Sequence, residues 1–119
     1  MGDRVSVSVI EDGAEPGSWK ESIVVKSHWG GETFPKDVLT FLRDFRRDHP
    51  IQGGGSTPET RLDPWYIIVY VIVHFASLVP GDISVGRTME DVDNSDNGHW
   101  RIRVPSLKLE GPFFRKGGR

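Results

Sequence analysis

The chain has 119 residues, no cysteine and a net charge of −2 at pH 7. That length suits one domain with a single modest core, and 36% hydrophobic with 27% charged residues excludes a disordered or fibrous main body. The small net charge argues against broad capture of nucleic acid while leaving room for a local anion site, and the lack of cysteine excludes disulfides, thiolate zinc sites and a cysteine nucleophile.

Met1 to Ser6 have no apolar core of the kind a signal peptide needs, so a cytoplasmic protein is expected. Val5, Val7 and Val9 then alternate with Ser6 and Ser8, and after a turn-rich stretch from Asp12 to Ser18 a second apolar run, Ile23-Val24-Val25, follows; this reads as a β-hairpin. The second strand delivers His28 and Trp29 to its end, where Gly30-Gly31 breaks regular structure. A helix is expected just beyond: Pro35 suits a first helical position, Asp37 lies where the helix dipole favours it, and Val38, Phe41, Leu42 and Phe45 share one face. Arg43, Arg46 and Arg47 fall on its wet side. Residues 49–62, with two prolines and Gly53-Gly54-Gly55, predict a mobile loop that carries His49.

Asp63-Pro64 supplies a cap and a first helical residue, and Pro80-Gly81 supplies a stop. Between them the β-branched Ile67, Ile68, Val69, Val71, Ile72 and Val73 argue for a buried strand, whereas length and punctuation select a helix over residues 65–79. At roughly 1.5 Å per residue such a helix spans about 22 Å, short of the ~30 Å hydrocarbon layer, so a core element is expected rather than a membrane span. Ile83–Val85 and Arg101–Val104 predict short strands. The whole is an α+β domain over residues 1–110: an N-terminal β-hairpin, two helices and C-terminal strands forming one small antiparallel sheet packed on the helices. Residues 111–119 form a basic tail, loose or docked on a partner. Pairing into a homo-oligomer would add stability to so small a core.

Two polar segments are candidates for chemistry. In His28-Trp29-Gly30-Gly31 a titratable ring and an aromatic platform precede two residues that allow close backbone approach, so a helix N-terminus aimed at the turn would make an anion pocket; the same glycines also serve as a plain strand-to-helix turn. The second segment supplies Asp91, Asp93, Asn94, Asp96, Asn97 and His99, followed by Trp100. Asn94, Asp96, Asn97 and His99 could read ribose and base edges, and Asp91, Asp93 and Asp96 could hold a hard cation. A calcium loop is not completed, because its twelfth position is Val104 instead of a glutamate, and Asn97-Gly98 also reads as a tight hairpin turn. If the strands carrying the two His-Trp dipeptides pair, both would border one pocket. Arg87 is the best-placed cation for a phosphate. His74, inside the apolar run, reads as a hydrogen-bonded core residue.

His28-Trp29-Gly30-Gly31 ending a strand, a Pro-initiated helix, a second apolar helix and a late Asp96-Asn97-Gly98-His99 turn resemble a group of small uncharacterised proteins of phages and prokaryotic genomes. The resemblance covers about Val5 to Val104 and implies a type of gene, with the host cytoplasm as its setting, rather than a reaction. Small phage proteins often bind and block host immune effectors or their nucleotide signals.

The leading expectation is therefore a non-catalytic binding protein that captures a small phosphorylated or nucleotide-like ligand through His28, Trp29, Gly30, Gly31, Arg87, Asn94, Asp96, Asn97, His99 and Trp100. A hydrolase or phosphodiesterase using His28 and His99 as acid and base is one alternative, and a module that blocks a host protein through its tail or a sheet edge is another. The residues do not identify a cofactor.

Overall fold

The computed structural model describes residues 2–48 and 63–114. The loop expected at 49–62, with His49, and the end of the basic tail at 115–119 lie outside the described residues.

The fold is α+β, built on a five-stranded sheet. Strands β1 (Val5–Glu11), β2 (Val24–Ser27), β3 (Ile83–Gly86), β4 (His99–Val104) and β5 (Lys108–Phe113) lie in the order β3-β2-β1-β4-β5. Helices α1 (Phe34–Asp48) and α2 (Pro64–Leu78) pack on one face. The expected hairpin is present, β1 pairing β2 from Val5↔Ser27 to Val7↔Val25.

The sheet is mixed rather than wholly antiparallel, since β1 and β4 run parallel from Ser6↔His99 to Glu11↔Val104. The reason lies in the connection. β3 ends beside the start of β2, and residues 87–98 must then return to the start of β1, where the Asn97 amide bonds the Arg4 carbonyl at 2.9 Å. The chain therefore enters β4 from the end where β1 begins.

Local punctuation decides α2 against its β-branched composition. The Asp63 carboxylate accepts the amides of Trp65 and Tyr66 at 2.9 and 3.3 Å, and Pro64 occupies the first turn, where its missing N–H costs nothing. Ile67, Ile68, Val71 and Phe75 then meet Val38, Leu42 and Phe45 of α1 and the sheet's Val5, Val7, Val9, Val25, Ile102 and Val104 in one core. Burying each such side chain is worth about 1.5–3 kcal/mol.

β5 runs to Phe113, past the domain boundary expected at 110. Gly111 and Pro112 concealed it, but β5 is an edge strand, where a missing N–H can face away from the ladder. His74 is exposed, not a core residue, and stacks on Phe41 with ring centroids 4.6 Å apart.

Candidate functional site

Gly30 and Gly31 do form a nest-like turn, Gly30 right-handed and Gly31 at φ +64°, where a Cβ would also strike the Asp3 carboxylate. The turn is already served by the chain itself. The Trp29 amide donates to Asp82 Oδ1 at 2.8 Å, the Gly30 amide to Ser27 Oγ at 2.8 Å, and the Gly31 amide to the Asp3 carbonyl at 2.9 Å. Ser27 Oγ donates to Asp82 Oδ2 at 2.6 Å. The three amides of this turn thus already have acceptors in Asp82, Ser27 and Asp3, and an outside anion would have to displace them. Trp29 is half-exposed, with the His28 ring edge-on to it at 4.6 Å.

The acidic segment is likewise tied inward. Arg4 bridges Asp93 and Asp96, at 2.5 and 2.9 Å. Asn97 Nδ2 donates to Asp3 Oδ1 at 2.7 Å. The Ser95 hydroxyl is the main influence lowering the pKa of Asp93, and the Arg4 side chain does the same for Asp96. Asp91 accepts the amides of Arg87 and Thr88, closing a short 3₁₀ turn at Met89–Asp91. Among the described residues no group of three His, Asp or Glu side chains is arranged to hold a metal. Asn97-Gly98 does not link a hairpin; the Gly98 amide closes back on the Asn94 carbonyl at 2.7 Å, ahead of β4.

The two His-Trp dipeptides lie at one end of the sheet, but β1 separates their strands, so they do not border a common pocket. They also diverge locally. Trp100 packs against the helical core with Nε1 on the Asn97 carbonyl at 3.0 Å, whereas His99 points to the opposite face.

That opposite face holds what the sequence left unread. Ser6, Ser8 and His99 are all fully buried there. Ser6 Oγ lies 2.7 Å from His99 Nδ1 and Ser8 Oγ 2.9 Å from His99 Nε2. Ser8 Oγ donates to Glu21 Oε2 at 2.5 Å, Arg101 Nε donates to the same oxygen at 2.8 Å, and the Gly17 amide donates to Oε1 at 2.7 Å. Asn94 Nδ2 closes the chain on Ser6 Oγ at 2.9 Å.

The proton positions follow from donor inventory. An ionised Glu21 can only accept, so the Ser8 proton goes to it and the Ser8 oxygen takes the proton of His99 Nε2. Nδ1 is left as the acceptor for Ser6, whose oxygen takes the Asn94 amide proton. Charge states agree with this. Burial alone would raise the pKa of Glu21, but His99, Ser8, the Gly17 amide and Arg101 together bring it down to about 2. Burial is also the main influence on His99 and depresses its pKa, keeping the imidazole neutral.

Glu21 and Arg101 form the inner wall of a cleft of about 400 Å³ between residues 16–24 and the 87–90 turn. Trp19 and Trp65, joined by the Trp65 Nε1 bond to the Trp19 carbonyl at 2.7 Å, line it together with Arg87 and Met89. Trp19 is 76% exposed and the Arg87 side chain 92%, so solvent reaches most of both. Arg101 bonds Glu21 through Nε and lies 5.0 Å from the Phe113 ring.

Of the residues expected around a ligand, Arg87 alone lines this cleft; Asn94 and His99 lie behind its wall, and His28, Trp29, Gly30, Gly31, Asp96, Asn97 and Trp100 are elsewhere. Glu21, Trp65 and Arg101, which also line it, carry no sequence signal for a site. A tryptophan directly following a turn-rich segment, Trp19, is the one available signal. No family model, no curated protein and no solved structure matches the chain.

Proposed function

We propose that the protein is a non-catalytic binding protein that holds a small phosphorylated, nucleotide-like ligand in the cleft between residues 16–24 and 87–90. The observation that carries this reading is the pairing of two indoles, Trp19 and Trp65, with two guanidiniums, Arg87 and Arg101, around about 400 Å³. That volume lies in the range of small-ligand sites, which combine an aromatic wall with a few placed polar groups. A base stacks on an indole, and a guanidinium matches phosphate oxygens in geometry as well as charge.

Capture without turnover is favoured by the state of the groups nearest the cleft. Ser8 and His99 are fully buried, and both ring nitrogens of His99 are engaged by serines, so neither offers a free atom to a substrate. Glu21 is ionised and shared between Ser8, Arg101 and a backbone amide, a poor general acid. In the phage setting that the sequence resembles, such a protein would withdraw a nucleotide signal from the host.

Calorimetric titration with a panel of linear and cyclic nucleotides tests the reading. A member of the panel is expected to bind, Trp19→Ala and Arg87→Ala are each expected to weaken it by about tenfold or more while leaving the fold unchanged, and the ligand is expected back from the complex chemically intact. Binding that both variants retain in full, recovery of an altered ligand, or silence across the panel would overturn it.

A further inference from the structure

The outward face of α2 is apolar from Tyr66 to Val73. Tyr66, Val69, Tyr70 and Val73 are 47%, 53%, 39% and 63% exposed. At positions i, i+3, i+4 and i+7 these side chains lie along the side opposite the buried Ile67, Ile68, Val71 and Phe75. The helix contains no Asp, Glu, Lys or Arg, although such residues make up 27% of the chain. Beside it lies β3, in contact with α2, where Val85 is 51% exposed and the outer edge pairs with no strand among the described residues.

We propose that a second copy of this chain covers this face, α2 packing on α2 about a twofold axis with the two β3 edges brought together. The exposed parts of these residues amount to about 500 Å², toward the upper end of what a monomer leaves open and over half of the ~800 Å² that each partner gives to a standard interface. The chain's own remaining segments are the wrong material to cover it. Ile51 and Leu62 are the aliphatic side chains of residues 49–62, and residues 115–119 read Arg-Lys-Gly-Gly-Arg. A membrane surface is a poor occupant too, because interfacial helices flank their apolar face with Lys and Arg, and α2 has neither. A twofold interface needs a patch that is complementary to itself, and an uncharged apolar stripe beside an open strand edge is one.

Sedimentation velocity on the full chain, from low micromolar to several hundred micromolar, reads the result directly. The expected mass is twice the 13.4 kDa of one chain, returning to 13.4 kDa when Val69→Glu and Val73→Glu are combined. A wild-type protein that stays at 13.4 kDa throughout, or a dimer that the double variant leaves intact, overturns the proposal. Cross-linking keeps it falsifiable if that variant fails to fold. The chain has no cysteine, so Val73→Cys and Glu15→Cys each place one thiol per copy. A short bis-maleimide should join copies through position 73 and not through position 15; equal yields at both, or none at 73, would overturn the proposal.

Discussion

The two faces of β1 are equally buried and chemically opposite. Val5, Val7 and Val9 point into a core shared with both helices, while Ser6 and Ser8, also fully buried, point into a chain of hydrogen bonds that ends at the Glu21–Arg101 ion pair. Apolar packing is non-directional and degrades by degrees, whereas a buried polar chain works when every member has its partner and fails sharply when one is lost. In this molecule the second face is complete: among the described residues no buried side-chain nitrogen or oxygen lacks a partner.

The largest effect is expected from Glu21→Ala, which leaves Arg101 at 13% side-chain exposure without its carboxylate. A loss of about 4 kcal/mol in urea-denaturation free energy is expected, mostly recovered when Glu21→Met is combined with Arg101→Met, which removes both charges. A loss below ~1 kcal/mol would show that the polar face is not a bound network. Acid should act on the same pair. The carboxyl has a folded pKa of about 2 against an ordinary 4.5, so its contribution is full above pH 4.5 and disappears as pH falls toward 2.

On the helical face, Leu42→Ala should cost about 3 kcal/mol, as buried leucines do, and the cost should not vary with pH. A pH-dependent penalty there would mean the two faces are coupled through β1. Ser8→Ala should cost about 1.5 kcal/mol, because it strands a proton on His99 Nε2 and takes one donor from Glu21. Measured against Ser6→Ala, it tells which half of the chain bears more of the load.

The smallest effect concerns His99. Its folded pKa lies below the ordinary 6.5, so the unfolded chain binds the proton more readily, and this part of the stability is full above pH 6.5 and declines as pH drops below it. Urea midpoints followed downward from pH 7 should show that decline in the wild type and lose it in His99→Asn. An identical decline in both proteins would assign it to other groups.

The helical face was largely legible in the sequence, because its signals are local. Asp63-Pro64 and Pro35 mark helix starts, and Val38, Leu42 and Phe45 recur at helical spacing. The polar face was not. Its partners lie far apart in the chain, Asn94 being 88 residues from Ser6 and His99 being 91 from Ser8. Alternating Val and Ser is ordinarily the mark of a strand with one wet side. Only the parallel placement of β4 beside β1 puts His99 next to Ser6 and Arg101 next to Ser8, and no local pattern announces that placement. The cleft inherits the same blindness, since its walls come from a turn-rich segment, the first turn of α2 and the turn after β3.

The hydrogen-bonded face also solves an alignment problem that the apolar face cannot. Val5, Val7 and Val9 repeat every second residue, and so do Trp100, Ile102 and Val104 in β4, so sliding one strand by two residues would still set apolar against apolar. On the other side the same slide would bring Arg101 opposite Ser6 and Arg103 opposite Ser8, inserting a guanidinium where the imidazole sits and drawing Arg101 away from Glu21. The buried histidine is thus a key cut for a single setting of the two strands, and it discriminates among arrangements that hydrophobicity treats as equal.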